Sequence, residues 1–259
     1  MQGPRVALFL DILTNHFDQD LAETTVEFLK WAGVNVYVPS RQRSSGMPAL
    51  VVGDLDRARE LVRANLRVLG NAVRDGYTIV CIEPTSAMVI RDFYPRLTDD
   101  LDARLVADNT LELSTYLAGM AERGLLPESR HMLNGRIGYH QPCHLRALDV
   151  GKPGFDLVKR VPGISLEFID KGCSGIAGPF GFSRSNFRKS LRIGHQLRAR
   201  LKDEDIDVGM TECLSCRMQM EQGITKRSHH PVEILAMAAG LNPELRAIWN
   251  QPKARNIIT

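Results

Sequence analysis

Four cysteines in the second half of the chain have the types of spacing that metal ligands have. They are Cys143, Cys173, Cys213 and Cys216, and two residues separate the last pair. A Cys-x-x-Cys pair lets two thiolates reach one metal from a single turn, and cysteines on other loops can complete a four-thiolate set. Such a set holds either an iron–sulfur cluster or zinc, and the spacing alone leaves both open.

The composition indicates a folded globular protein. Of the 259 residues, 44% are hydrophobic and 24% are charged, as in chains that bury a core. The 33 Lys and Arg nearly balance the 30 Asp and Glu, so we expect no nucleic-acid partner. The sequence lacks the pattern of a secretion signal and any apolar run long enough to span a membrane, so we expect a cytoplasmic protein. Clustered cysteines in that reducing environment favour metal binding over disulfides.

The fifth cysteine differs from the other four. Cys81 lies inside the apolar run Tyr77–Ile82, which has the composition of a buried strand. We expect it to be a core thiol that behaves as a small hydrophobic side chain.

Strands and helices alternate along the chain in two successive rounds. The first half is predicted to contain strands at Arg5–Leu10, Val34–Val38 and Tyr77–Ile82, and helices at Leu21–Trp31, Asp54–Val73 and Ala103–Arg123. The second half is predicted to contain strands at Arg136–Tyr139, Ser165–Ile169 and Ile206–Met210, and helices at Phe155–Arg160 and Asn186–Lys202.

These two rounds indicate an internal repeat. Ser45 and Ser174 fall on matching turns and lie as far apart in sequence as Glu83 and Glu212. We predict an α/β fold of two pseudo-repeated units, residues 1–128 and 129–259, with mainly parallel sheets. Ligands bind outside the carboxyl ends of parallel strands, and the four cysteines follow predicted strands. Three loops are therefore expected to bring these thiols together.

The same residues carry a family resemblance. The segments Cys143-His144, Gly172–Gly178 and Cys213–Arg217 resemble the cysteine-rich CCG domain, and Glu83–Ser86 and His230–Leu235 resemble its oxidase branch. This domain occurs in the cysteine-rich subunit of heterodisulfide reductase and in iron–sulfur subunits of anaerobic glycerol-3-phosphate dehydrogenase and of glycolate and lactate oxidases.

The resemblance implies an electron-transfer function. It implies an iron–sulfur subunit of a flavin-linked dehydrogenase or reductase complex that relays electrons to a quinone or a thiol/disulfide acceptor. Because the sequence lacks flavin and ferredoxin fingerprints, the implied partners are a flavin-containing dehydrogenase subunit and a ferredoxin-type iron–sulfur subunit. Such an oxidoreductase complex would lie in the cytoplasm or peripherally on the inner face of the membrane. The alternative is a non-redox scaffold domain stabilised by a structural zinc ion that four cysteines hold.

The sequence departs from the family pattern in two places. In the first half Ser44, Ser45 and Ser86 stand where the family has cysteines, and Asp11 marks the region of its first one, so no metal ligand set is expected there. In the second half Ser174 replaces the second cysteine of the double-cysteine motif. Four thiolates remain, which suffice for a 4Fe-4S cluster.

Residues next to the cysteines are expected to surround the metal rather than bind it. They are His140, His144, Ser174 and Gly175. Each histidine is expected to pack beside a thiolate or to orient it, with direct ligation as the alternative. Gly175 belongs to a turn rich in glycines, which let backbone amides approach a cluster closely. The sequence identifies no catalytic residue.

Overall fold

The computed structural model describes residues 3–252. The chain divides into two compact units, and the boundary falls between Leu126 and Pro127. Each unit is built around its own four-stranded sheet.

The sheet of the first unit is parallel throughout. Its strands are β1 (Arg5–Phe9), β2 (Asn35–Tyr37), β3 (Thr78–Cys81) and β4 (Thr110–Glu112). They lie side by side in the order β2-β1-β3-β4. The two central strands are almost completely buried, because apolar side chains cover both faces of a parallel sheet.

The sheet of the second unit repeats this arrangement. Its strands are β5 (Gly135–Tyr139), β6 (Ile164–Phe168), β7 (Val208–Met210) and β8 (Ser228–His229). They are parallel and lie in the order β6-β5-β7-β8. Counted within each unit, this is the same strand order as in the first sheet. The predicted α/β fold of two similar units with parallel sheets is confirmed.

Helices connect the strands of the first unit. They span Ile12–His16, Gln19–Trp31, Met47–Val51, Leu55–Arg74, Pro84–Met88, Tyr94–Leu97, Leu101–Asp108 and Leu113–Glu122, with a π-helical turn at Val89–Phe93. Asp54, where the longest helix is predicted to begin, caps this helix: its side chain accepts a hydrogen bond from the Arg57 amide at 3.0 Å, which satisfies one of the free N–H groups at the helix start.

Helices of the second unit are shorter. They span Cys143–Ala147, Pro153–Val158, Pro179–Phe182, Phe187–Ile193, His195–Lys202, Leu214–Met220, Pro231–Ala239 and Pro243–Ile248. His230 caps the helix Pro231–Ala239 in a capping box with Glu233, and Pro231 occupies the first helical position.

Two predicted helices are wrong in extent. The helix expected over Ala103–Arg123 is interrupted by β4, whose last residue, Glu112, accepts hydrogen bonds from the amides that begin the next helix. The helix expected over Asn186–Lys202 is broken at Gly194, which lies against the backbone of Ser174. Sequence periodicity does not reveal either tertiary contact.

Cys81 lies in the core of the first unit, as predicted. It is completely buried on β3, and burial together with the nearby carboxylates Asp11 and Glu112 raises the pKa of its thiol well above the usual value. The thiol is therefore neutral at physiological pH. Within residues 3–252 no helix combines the length and the apolar character needed to cross a bilayer.

Candidate metal centre

Three neighbouring strands of the second sheet deliver the four candidate cysteines. Cys143 begins the helix that follows β5, Cys173 lies in the loop after β6, and Cys213 precedes the helix Leu214–Met220 after β7, with Cys216 in its first turn. Because β6, β5 and β7 are adjacent and parallel, these loops emerge at one edge of the sheet.

Cys213 and Cys216 form a buried thiol pair. A hydrogen bond from the Cys216 thiol, followed by those from the Ser215 hydroxyl and from backbone amides at the start of the helix, lowers the pKa of Cys213 to about 6. The pKa of Cys216 is raised well above its usual value, because its proton is held by Cys213 and its surroundings are buried. The pair therefore retains one proton and carries one thiolate at neutral pH, and the thiolate is the form that binds metals.

Polar groups of the loop 172–175 face the thiols. The Ser174 hydroxyl donates to Cys216 Sγ at 3.2 Å, and the Gly175 amide donates to Cys173 Sγ at 3.2 Å. Gly175 has a φ of +97°, and a Cβ there would overlap the Ser190 carbonyl oxygen. The glycine is therefore required for the loop to approach the helix Phe187–Ile193 and present these donors.

Cys143 and Cys173 are exposed, unlike the buried pair. Partial desolvation is the main cause that raises the pKa of Cys143, and the negative charges of Cys213 and Cys173 raise it further. The cysteines of the other two loops therefore influence the charge state of Cys143. As placed, however, no three His, Cys, Asp or Glu side chains in the described part of the chain are grouped closely enough to hold a metal ion. The four-thiolate site remains a prediction, and the donor set, with one buried thiolate already favoured, fits a thiolate-bound metal.

Hydrogen bonds join the equivalent loops of the first unit. Asp11 follows β1, and its carboxylate accepts from the Ser45 amide at 3.2 Å and from the Ser86 hydroxyl at 2.8 Å. Ser45 and Ser86 are buried. A carboxylate and two serines thus join the three loops that correspond to those of the cysteines.

The sequence of the second unit matches a known family. Residues 137–221 match the family model described as CCG, cysteine-rich domain. The chain contains a cysteine-rich CCG domain. The resemblance found in the cysteine motifs is confirmed, and the candidate ligands lie within the matched residues of the CCG domain.

Relatives of known name extend over both units. One subunit of the anaerobic glycerol-3-phosphate dehydrogenase of Escherichia coli is 29% identical over 90% of this chain, which spans only 59% of that relative. Lactate utilization protein A of a Geobacillus species is 26% identical over 92% of this chain and 99% of its own length. An uncharacterized iron-sulfur protein of Methanocaldococcus jannaschii is 25% identical over 86% of this chain and 42% of its own length.

A solved structure shares the fold. The crystal structure of a hypothetical protein from Helicobacter pylori superposes with a TM-score of 0.65 at 11% sequence identity and covers 100% of this chain and 54% of that one. At this identity the likeness concerns the fold alone.

Two histidines are close to Cys143 in the sequence of the CCG domain. His140 is buried at the end of β5, and desolvation, assisted by the positive charge of Arg146, lowers its pKa to about 4. His144 is partly buried, and desolvation lowers its pKa as well. Both rings are neutral at physiological pH, which is compatible with packing beside a thiolate.

A cationic recess of about 560 Å³ adjoins Cys173. Its walls include Lys171, Arg192, His195 and Arg198. Within residues 3–252 none of these four side chains has a carboxylate at ion-pair distance, whereas Arg200 contacts Glu167, Asp203 and Asp205. The Nε of Arg198 is buried without a hydrogen-bond partner among the described residues.

Sequence reasoning missed two features around these sites. The basic residues after position 184 look like a solvated helix face, and only the break at Gly194 turns part of them toward Cys173. The sequence marks Asp11 only as the region of a lost cysteine, although an aspartate after the first strand, followed by serine motifs after the next two strands, is a signal for a hydrogen-bonded replacement. Its role depends on loops that are distant in sequence.

Proposed function

We propose that this chain is an iron–sulfur subunit that transfers electrons within a dehydrogenase or reductase complex. The observation that carries the proposal is the buried Cys213–Cys216 pair of a CCG domain, whose loop leaves the same edge of the sheet as the loops of Cys143 and Cys173. The names of the relatives, which include a dehydrogenase subunit and an iron-sulfur protein, support this assignment.

The residues of the CCG domain have distinct tasks in this proposal. Cys143, Cys173, Cys213 and Cys216 would hold a 4Fe-4S cluster, which supplies one-electron transfer when bound. The helix amides that lower the pKa of Cys213 favour the thiolate form needed for ligation. The donors of Ser174 and Gly175 stabilise negative charge on sulfur, which tunes the reduction potential.

The proposed partners supply the chemistry that this sequence lacks. Electrons would come from a flavin-containing dehydrogenase subunit through a ferredoxin-type iron–sulfur subunit, and a quinone or a thiol/disulfide compound would accept them. Cys173 is exposed beside the cationic recess, so an acidic partner surface can approach this side of the centre. The complex would be cytoplasmic or held peripherally at the inner face of the membrane.

Metal analysis of the purified chain tests the proposal. The protein is purified without oxygen, and iron, sulfide and zinc are measured together with the visible absorbance of thiolate-bound iron. We expect about four iron and four sulfide ions per chain. Stoichiometric zinc without iron would overturn electron transfer and leave the binding of a structural zinc ion as the function of the four cysteines.

A further inference from the structure

A second cationic recess lies in the first unit, where no cysteine ligands remain. Its volume is about 770 Å³, which is in the range of small-molecule sites. Four arginines and two tyrosines contribute to its lining, namely Arg5, Arg41, Arg43, Arg67, Tyr37 and Tyr77. We propose that this recess binds a phosphorylated small molecule.

The charge of the recess is not neutralised by the protein. Within the described residues none of its four arginines has a carboxylate at ion-pair distance, and Asp75 is the one acidic residue among those that line it. Other arginines of the helix Leu55–Arg74 do have partners: Arg57 pairs with Glu60, Arg59 with Asp56 and Arg74 with Asp102. Arg67, which lines the recess, has none among the described residues, and neither has Arg63, which lies outside the recess, so this helix adds one of its two unpaired arginines to the three others of the recess.

Buried hydrogen bonds hold one wall of the recess in place. The Asn65 side chain accepts from the Arg43 amide at 2.7 Å and donates to the carbonyl oxygens of Arg43 and Ser44 at 3.2 and 3.0 Å. Asn65 is completely buried on the helix that also carries Arg67. The loop with Arg41 and Arg43 is therefore fixed to that helix before any ligand arrives, which reduces the entropic cost of binding.

The opposite wall is fixed as well. The Arg5 guanidinium donates to the Asp75 carbonyl oxygen at 2.6 Å and lies 4.1 Å from the centre of the Tyr77 ring. The Tyr37 ring is 5.7 Å from that of Tyr77 and remains 43% exposed. The recess thus has positioned cations and an accessible aromatic surface.

This combination favours phosphate over other ligands. A guanidinium presents paired N–H donors that match two oxygens of a phosphate, and several of them balance its double charge. The size of the recess accommodates a further organic group beside the phosphate, and the exposed Tyr37 ring offers it an apolar contact. The proposal does not depend on the metal centre, because every residue used lies in the first unit.

Calorimetric titration of the full chain with inorganic pyrophosphate tests the site. Arg67→Gln is expected to weaken binding about tenfold, because a hydrogen-bonded ion pair with phosphate is lost. Arg63→Gln is the matched control: Arg63 is exposed one turn earlier on the same helix, does not line the recess and is expected to leave the affinity unchanged. Thermal unfolding verifies that both variants fold.

Three outcomes would overturn the proposal. They are absence of saturable pyrophosphate binding to the unaltered chain, equal weakening by the two substitutions, and binding of citrate as tight as that of pyrophosphate. Citrate carries its charge on carboxylates, so equal affinity would indicate a general anion surface rather than a phosphate site. The titration measures neither metal content nor electron transfer. Its result is therefore independent of the metal analysis that tests the proposed function.

Discussion

In the first unit the Ser86 hydroxyl donates a hydrogen bond of 2.8 Å to the Asp11 carboxylate and joins the loops that follow β3 and β1. The corresponding loops of the CCG domain carry Cys143 and the Cys213–Cys216 pair. The two units therefore use one topology and different chemistry at equivalent sheet edges. In the first unit, these loops carry side chains that form hydrogen bonds with one another, whereas in the CCG domain the corresponding loops carry side chains suited to binding a metal.

Removal of this hydrogen bond should destabilise the first unit alone. Ser86 is buried, and Ser86→Ala leaves the Asp11 carboxylate with one hydroxyl donor fewer. We expect the free energy of unfolding to fall by about 1.5–3 kcal/mol, the range for a hydrogen bond to a charged group. Urea denaturation measures this loss, and metal content should remain that of the unaltered chain. A variant that loses metal would contradict the separation of the two sites.

Two buried cysteines provide a matched pair of substitutions. Cys216→Ala and Cys81→Ala remove the same atoms from buried positions, yet only Cys216 belongs to the proposed ligand set. We expect Cys216→Ala to lose the metal and destabilise the second unit, whereas Cys81→Ala should retain full metal content. Elemental analysis and thermal unfolding measure the two effects. Equal metal loss in both variants would refute the ligand assignment.

The Ser174 hydroxyl should influence the reduction potential of the centre. It donates to Cys216 Sγ, and such bonds stabilise the more negative, reduced state. We expect Ser174→Ala to lower the midpoint potential without reducing iron content, as measured by redox titration. Ser190→Ala is the control, because the Ser190 hydroxyl donates to the Phe187 carbonyl oxygen rather than to a cysteine sulfur. A drop of the same size in the control would argue against a direct effect on sulfur.

Gly194 should tolerate no side chain. A Cβ at this position would overlap the carbonyl oxygen of Ser174, and the clash is with backbone that cannot rotate away. We expect Gly194→Ala to destabilise the second unit by about 1–3 kcal/mol, as overpacking does. Gly119→Ala is the contrast: it lies inside the helix Leu113–Glu122 with no atom within 4 Å of the added Cβ and should be stabilising by about 0.5–1 kcal/mol. Denaturation midpoints compare the two.

His229 should make the second unit less stable in acid. The buried ring is 2.9 Å from the Trp249 carbonyl oxygen, and desolvation is the main cause that lowers its pKa to about 4. The unfolded chain takes up this proton below about pH 6.5, before the folded protein does, so stability is complete above that pH and falls as the pH approaches 4.

A variant that lacks His229 isolates this contribution. At pH 5 the linkage amounts to about 2 kcal/mol relative to pH 7. His229→Gln keeps an N–H group that can donate to Trp249 but cannot be protonated in this range, so its free energy of unfolding should vary less between pH 7 and pH 5. Parallel denaturant titrations at the two pH values provide the comparison. Identical pH dependence in both proteins would show that His229 is not responsible.

Several elements could be predicted because their causes are local. The apolar run around Cys81 and the helix start at Asp54 depend on neighbours in sequence, and both were predicted correctly. Strand β8 and strand β4 were missed because each is only two or three residues long and exists through pairing with β7 or β3. The break at Gly194 was missed for the same reason, since its cause is the distant backbone of Ser174.

The sequence by itself determined the repeated α/β plan, the four candidate thiols and the serines at positions 44, 45 and 86, because alternation, spacing and residue type are properties of the chain. Only the tertiary structure decided that Asp11 joins Ser45 and Ser86, that Cys213 is the more acidic thiol of its pair, and that arginines distant in sequence line one recess. These properties depend on distances and desolvation between segments brought together by parallel strands, and local sequence does not encode them.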